Sequence, residues 1–295
     1  MHDRCDAARV LFNSQNQIRW IFMNQLFFES VRKVFHHRPA LFNWVGKERG
    51  GETIALDGVS FSAASSEIVA LLGPNGSGKT TTLKLISTML LPDAGSVRVG
   101  GFDSRHDGSK VRRQVGIAVA TERSFFPRLS ARENLNFFAA LDEVHRRERP
   151  RRIEEVLIEA GLKEQADTLA MKFSSGMYQR LGLARALIKH PSVLLLDEPT
   201  RSLDAAATSN FWTLIRALAV QGATVLLATH NFAEAAAVAD RLLLLHQGAL
   251  LEDRKLNGRE SADDLRTLYF RRIGEHQTDP DHAMPREIHP ARAAS

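Results

Sequence analysis

The stretch Gly73, Pro74, Asn75, Gly76, Ser77, Gly78, Lys79 and Thr80, followed by Thr81, fits the pattern G-x-x-x-x-G-K-[ST]. Glycines let a backbone curl until several N–H groups point inward at one anion. The start of a helix just beyond adds the positive end of its dipole. A loop of this kind holds phosphate oxygens: Lys79 is placed to reach the outer phosphates of a nucleoside triphosphate, and Thr80 to ligate Mg²⁺. A glycine-rich turn that fits by chance has no need of flanking elements. Here the apolar, strand-length run Ile68–Leu72 precedes the loop, and a helix is predicted from about Gly78 to Leu90, closed by Pro92.

A second run, Val193–Leu196, ends in Asp197 and Glu198. An apolar strand ending in carboxylates sets them at the C-terminal edge of a sheet, where ligands bind in open α/β folds. Asp197 then serves as a direct or indirect partner of Mg²⁺. Glu198 is placed to polarise the water that attacks a γ-phosphate, because phosphoryl transfer is mainly positioning plus charge stabilisation. Two acids at a strand end could equally face solvent when taken alone. Together with the lysine loop they define a nucleoside triphosphatase.

The elements that must position these residues are legible from periodicity. Val97–Val99, Val115–Val119, Val193–Leu196 and Val225–Ala228 read as strands, with a helix around Asn210–Val220 between the last two. Buried apolar strands alternating with helices predict an α/β fold with a mostly parallel sheet covered on both faces. Short strands and turns over about Glu29 to Phe61, with a turn at Asp57-Gly58, predict a small antiparallel β subdomain. From about Leu129 to Leu169 the spacing turns helical: Leu135, Phe138 and Leu141 recur at that period, as do Ile153, Val156, Leu157 and Ala160. A further helix starts at Ser175 and ends at Lys189, His190 and Pro191, where positive charge suits the dipole. The expected divisions are an unstructured N-terminal extension over 1–28, an ATPase domain over 29–255 with an inserted helical subdomain at about 125–185, and a C-terminal tail over 256–295, disordered from about 272.

The reaction class is narrowed by Phe173-Ser174-Ser175-Gly176-Met177-Tyr178-Gln179-Arg180 at a helix start. Here the chain resembles the ABC ATPase family, whose signature reads L-S-G-G-Q with a following Q-R. The resemblance covers roughly Glu29 to Glu252, with lysine loop, signature, acidic strand end, Ser202-Leu203-Asp204 and His230 in the family's order. Physically, the Ser174 hydroxyl and the N–H groups near Ser175 and Gly176 form a second anion-binding helix end. The resemblance implies that this end completes the site of a second subunit, so that two ATP molecules lie between two chains. It also implies that Ser202–Asp204 lies at the dimer seam and that His230 senses the γ-phosphate beside the hydrolytic Glu198.

Three positions depart from the family's pattern. Ser175 stands where the family usually has glycine. The stretch Ala120-Thr121-Glu122-Arg123 replaces a glutamine that helps hold Mg²⁺; either Glu122 substitutes as an oxygen ligand, or the link to the membrane partner is looser. The aromatic that stacks on adenine is best matched by Phe35, with Phe42 and Trp44 as alternatives.

The remaining sequence bounds the setting. A formal net charge of +5 allows, without demanding, contact with acidic headgroups. The cluster Arg146, Arg147, Arg149, Arg151 and Arg152 reads either as a solvated loop or as a headgroup contact. The single cysteine, Cys5, supports neither an internal disulfide nor a metal cluster and fits a reducing compartment. No run of about 18 uncharged apolar residues could span a bilayer. Ile18–Phe28 lacks a following small-residue cleavage site and does not read as a signal peptide, and Met23 is a possible alternative start. The resemblance therefore implies a subunit at the cytoplasmic face of a membrane, with ATP and Mg²⁺ as cofactors. It would form a homodimer or heterodimer of ATPase chains, docked on separate integral membrane permease subunits and binding no nucleic acid. Its wording is most like export systems for drugs, polysaccharides or lipids. Family members that act on ribosomes or DNA carry two cassettes, long coiled coils or zinc-binding cysteines, which this chain lacks. A purely regulatory ATP binder would not need both Glu198 and His230.

Overall fold

The computed structural model describes residues 24–36, 51–119, 124–201 and 203–278. Strands β1 (Asn24–His36), β2 (Glu52–Ala64), β4 (Ala94–Val99) and β5 (Phe102–Asp103) form an antiparallel sheet in the order β2-β1-β4-β5. The central sheet holds β3 (Ile68–Leu72), β6 (Val115–Val119), β7 (Val193–Asp197), β8 (Thr224–Thr229) and β9 (Arg241–His246), all parallel. A last strand, β10 (Ala249–Lys255), turns back on β9, giving the order β10-β9-β3-β8-β7-β6.

The continuous apolar runs of the parallel strands follow from burial on both faces. Alternation sends Ile68, Leu194, Leu196, Val225 and Leu227 to one side and Val69, Leu71, Val193, Leu195 and Leu226 to the other. The first set packs beneath α3 (Ala131–Leu141), α4 (Arg149–Glu159), α5 (Ser175–Leu187) and α6 (Ala205–Val220). The second set faces the antiparallel sheet and includes Leu83, Leu85 and Ile86 of α1 (Lys79–Ile86) and Val111 of α2 (Gly108–Gln114). Each fully buried aliphatic side chain contributes about 1.5–3 kcal/mol of burial free energy, so the sheet is a stiff platform. The predicted α/β class, parallel core, antiparallel subdomain and helical insertion are all present.

The entry to the helical insertion is fixed by polar side chains. Ser130 caps α3 by accepting from Glu133 N at 3.2 Å, while Glu133 Oε2 accepts from Ser130 N at 2.7 Å. Asn134, fully buried, donates to the carbonyls of Phe126, Leu129 and Ser130 and accepts from Phe126 N. Arg152, expected in a surface cluster, is instead buried, with its guanidinium on the carbonyls of Leu187 and Ile188 at the end of α5. Arg149 likewise donates to the Val144 carbonyl.

Several expectations need correction. Asp57-Gly58 is no turn: both lie inside β2, where the register with β1 slips between Val31 and Lys33. Gly58 at φ 70° makes this a bulge, which keeps the turn-favouring dipeptide within a long strand. The helix after the lysine loop stops at Ile86, and Ser87 caps it. The helix between β7 and β8 starts earlier than Asn210, because Asp204 Oδ1 accepts from Ala207 N at 2.7 Å and caps it there. β1 begins at Asn24, inside the expected N-terminal extension.

The tail also holds a regular element, α8 (Ala262–Thr278), which continues past the point where disorder was expected. Ser261 and Asp264 cap it reciprocally. Its Leu265, Leu268 and Tyr269 pack on Leu242 and Leu244 of β9 and on Ala235 of α7 (Phe232–Val238). The buried Gly248, in the β9–β10 turn, accepts from Asp57 N at 2.9 Å and donates to Ser77 O at 3.0 Å. One turn thereby joins the antiparallel sheet to the lysine loop.

Candidate functional site

Strand order and register bring the candidate residues to one edge. Leu72 pairs with Thr229 and Asp197 with Ala228, so β3, β8 and β7 end level with one another. The lysine loop leaves β3, Glu198 leaves β7, and His230 leaves β8 between them. A cavity of about 430 Å³ opens at this edge, lined by Asn75, Gly76, Gly78, Lys79, Thr80, Thr81, Asp197 and Glu198. Thr53, Ile54 and Ala55 of β2 form another wall, with Val119 and Arg201 completing it.

The loop's shape requires glycine at two places above all. Gly78 holds φ 110°, and a Cβ there would stand 2.8 Å from the Ala55 carbonyl oxygen. A Cβ on Gly73 would stand 2.2 Å from the Leu245 carbonyl oxygen. Lys79 is 6% exposed, and its Nζ donates to the carbonyls of Gly73 and Pro74 at 2.7 and 3.0 Å. Burial pulls its pKa down, opposed by the charges of Glu198 and Asp197. The Ser77 hydroxyl is buried without a hydrogen-bond partner. A loop that encloses a cation and an unsatisfied hydroxyl suits an oxyanion with several acceptor oxygens.

Thr80 Oγ1 donates to Asp197 Oδ2 at 3.1 Å. Burial raises the Asp197 pKa; Glu198 adds to the rise, while the Thr80 hydrogen bond and Lys79 oppose it. A hydroxyl and a carboxylate side by side beside a phosphate loop are the hard oxygen donors that Mg²⁺ takes together with substrate phosphates. Both are first in line to hold it.

Glu198 carries φ 50°, a left-handed conformation uncommon for a side chain of its size. The turn is held by Glu198 N donating to the Ala228 carbonyl at 2.9 Å and by Arg201 N donating to the Glu198 carbonyl at 3.2 Å. Its Oε1 stands 2.7 Å from His230 Nδ1. His230, expected to face the γ-phosphate, is bonded to Glu198 in this single chain. Thr229 donates from Oγ1 to Glu234 at 2.7 Å and accepts from Asn231 N at 3.0 Å, fixing the strand end that carries His230.

Not every expected residue joins this edge. Ser174 caps α5, accepting from Met177 N at 3.3 Å, and it and Ser175 are exposed. Neither they nor Gly176 line the cavity; a Cβ on Gly176 would meet Leu203 and Ala207. Phe35 pairs with Thr53 across β1 and β2, one strand from the cavity wall. Glu122, Ser202, Phe42 and Trp44 lie outside the described residues. Sequence reasoning passed over the β2 wall and Arg201. For Arg201 a signal existed, since it is a basic residue three positions after Glu198.

A lysine loop closing on an acidic strand end, with a carboxylate–histidine pair at the next strand, defines a phosphate-loop nucleoside triphosphatase. The ABC transporter family model matches residues 56–201. The chain is 32% identical over 222 residues to the ABC transporter ATP-binding protein NatA of Bacillus subtilis, covering 74% of this chain and 90% of that one. It is 39% identical to a Nod factor export ATP-binding protein I of Burkholderia thailandensis, covering 71% and 68% respectively. Among solved structures, a dimeric ATP-binding cassette in a post-hydrolysis state with ADP and Pi superposes with TM-score 0.65 at 28% identity, covering 79% of this chain and 99% of that one. This chain belongs to the ABC transporter ATP-binding family and is an ATPase.

Proposed function

We propose that this chain is the ATP-hydrolysing motor of an export-type transporter, acting as a dimer of cassettes beneath separately encoded membrane subunits at the cytoplasmic face. The observation that carries the reading is the convergence of Lys79, Thr80–Asp197 and Glu198–His230 on one sheet edge. Lys79 and the loop amides bind the phosphates, and Phe35 serves the adenine from the neighbouring strand. Thr80 and Asp197 hold Mg²⁺, which when bound neutralises charge on the transferring phosphoryl group. Glu198 accepts a hydrogen bond from the attacking water. That water's oxygen forms a bond to the γ-phosphorus as the bond to the bridging oxygen breaks; the electron pair leaves with ADP, and the water's proton passes by way of Glu198 to the inorganic phosphate. His230 locks the Glu198 carboxylate in place. Ser174, Ser175 and Gly176 of a second cassette, identical or related, close the site from the far side.

A docking place for the membrane subunit is supported by a groove of about 450 Å³ between the end of α1, α2 and the helical insertion. Met89 and Leu141, 61% and 66% exposed, stand on it among Arg112, Arg113 and Lys189. The names of its relatives, which include Nod factor export, support export as the direction. Among the described residues no helix is long and apolar enough to cross a membrane, in keeping with a motor that works through other chains.

The test is Glu198→Gln. It should slow turnover by about 10²–10³-fold while trapping an ATP-bound dimer visible by size-exclusion chromatography. Brisk hydrolysis by that variant would remove Glu198 from its role.

A further inference from the structure

Hydrolysis leaves inorganic phosphate beside two carboxylates, Asp197 and Glu198, which repel it at short range. A route out needs a cation that is not already committed. Arg201 is exposed, and its guanidinium makes no hydrogen bond or ion pair among the described residues. By contrast, nearby Arg216 is bound to Asp240 at 2.7 Å.

The position of Arg201 gives that free charge a direction. Next to the nucleotide cavity lies a larger one of about 890 Å³, between α6 and α7. Glu198 and Arg201 line both. Their relative placement is fixed by the hydrogen-bonded turn that runs from Glu198 to Arg201. The second cavity offers hydroxyls from Thr208 and Ser209 on α6, and Trp212, which is 7% exposed, stands on its wall. Glu234, also on this wall, is pushed toward its protonated form by burial, which reduces the negative charge a phosphate would meet.

Resting on the ATPase reading above, we propose that Arg201 and the cavity between α6 and α7 form a receiving site for inorganic phosphate, which leaves the nucleotide past Glu198 before ADP departs. Arg201 touches the product, and the Thr208 and Ser209 hydroxyls of α6 hold it beyond Glu198. No bond forms or breaks in this step; the phosphate moves as the anion that hydrolysis made.

The experiment uses the full chain, with two readouts: inhibition of turnover by added inorganic phosphate, and quench-flow cleavage compared with a fluorescent sensor of free phosphate. Arg201→Gln should raise the phosphate inhibition constant at least about fivefold, the loss expected for one charge-assisted contact. It should also make free phosphate lag behind cleavage. Thr208→Val, which keeps the shape and removes the hydroxyl, should raise the inhibition constant about twofold, and Arg201→Lys should restore part of the loss. If the wild-type chain hydrolyses ATP and Arg201→Gln leaves both readouts unchanged, the receiving site is overturned while the motor stands. If Arg201→Gln weakens ATP and phosphate equally, Arg201 is a nucleotide ligand and the proposal is likewise overturned. A wild-type chain without turnover overturns the ATPase reading itself.

Discussion

The lysine loop and the tip of α5 are both helix starts suited to anions, yet they are built to different degrees of completion. Around the loop, side chains from α1 and from the ends of β7 and β8 are already joined: Lys79 to its own loop, Thr80 to Asp197, Glu198 to His230. At the α5 tip, Ser174 satisfies one amide of its own helix and otherwise faces outward. One half of the proposed site is preorganised within the chain, and in the proposed dimer the other half is presented to a neighbour. Catalysis in that dimer would wait on association, because the donors that finish the phosphate shell would come from elsewhere.

The strongest way to break this contrast is to damage each half separately. Lys79→Ala and Ser174→Arg should each lower turnover by about 10³-fold, measured by phosphate release. Lys79→Ala should abolish ATP binding to the isolated chain, whereas Ser174→Arg should leave it within about twofold. Mixing the two variants builds one intact site in each mixed dimer and should recover up to roughly a quarter of wild-type activity. No recovery would mean that loop and tip serve the same chain. His230→Ala tests the preorganised half alone and should lower kcat about 10²-fold with ATP affinity preserved in a titration.

Smaller effects sharpen the picture. Ser130→Ala removes the cap of α3 and should cost about 1 kcal/mol in a urea melt without changing ATP affinity. Asp197→Asn should raise the melting temperature of the nucleotide-free chain by about 2 °C at neutral pH, because burial disfavours the charged carboxylate. The sign follows from its raised pKa. A carboxyl held above its ordinary range adds stability that is present below that range and lost as pH rises through the folded value. The advantage of Asp197→Asn should therefore shrink as pH falls through the carboxylate range. The same variant should lose the melting shift that wild type gains with ATP and Mg²⁺.

Residues that carry chemistry were the most legible in sequence, because phosphate binding demands glycine, lysine and hydroxyl at fixed spacing and leaves little freedom. Lys79, Asp197, Glu198 and His230 converge as expected because strand order is constrained by the same burial that makes the strands apolar. The β2 wall was invisible, since Thr53, Ile54 and Ala55 lie outside the motif in sequence and meet it through the close approach of Ala55 to Gly78 and the Gly248 tie. The Asp57-Gly58 bulge was misread because a turn and a bulge use the same left-handed glycine. The α8 helix hid behind its charge, although Leu265, Leu268, Tyr269 and Ile273 fall on one stripe. Arg152 was read as a surface charge because its partners are carbonyls at the far end of another helix, which no local pattern records.

The Gly248 turn carries a practical warning for anyone who would engineer this molecule. A hairpin tip is ordinarily where an affinity tag, a reporter insertion or a permuted terminus is tolerated best. This one holds φ 80°, and a side-chain carbon at Gly248 would stand 2.9 Å from the Ala55 oxygen. Cargo grafted there would pry apart the mouth that admits the fuel.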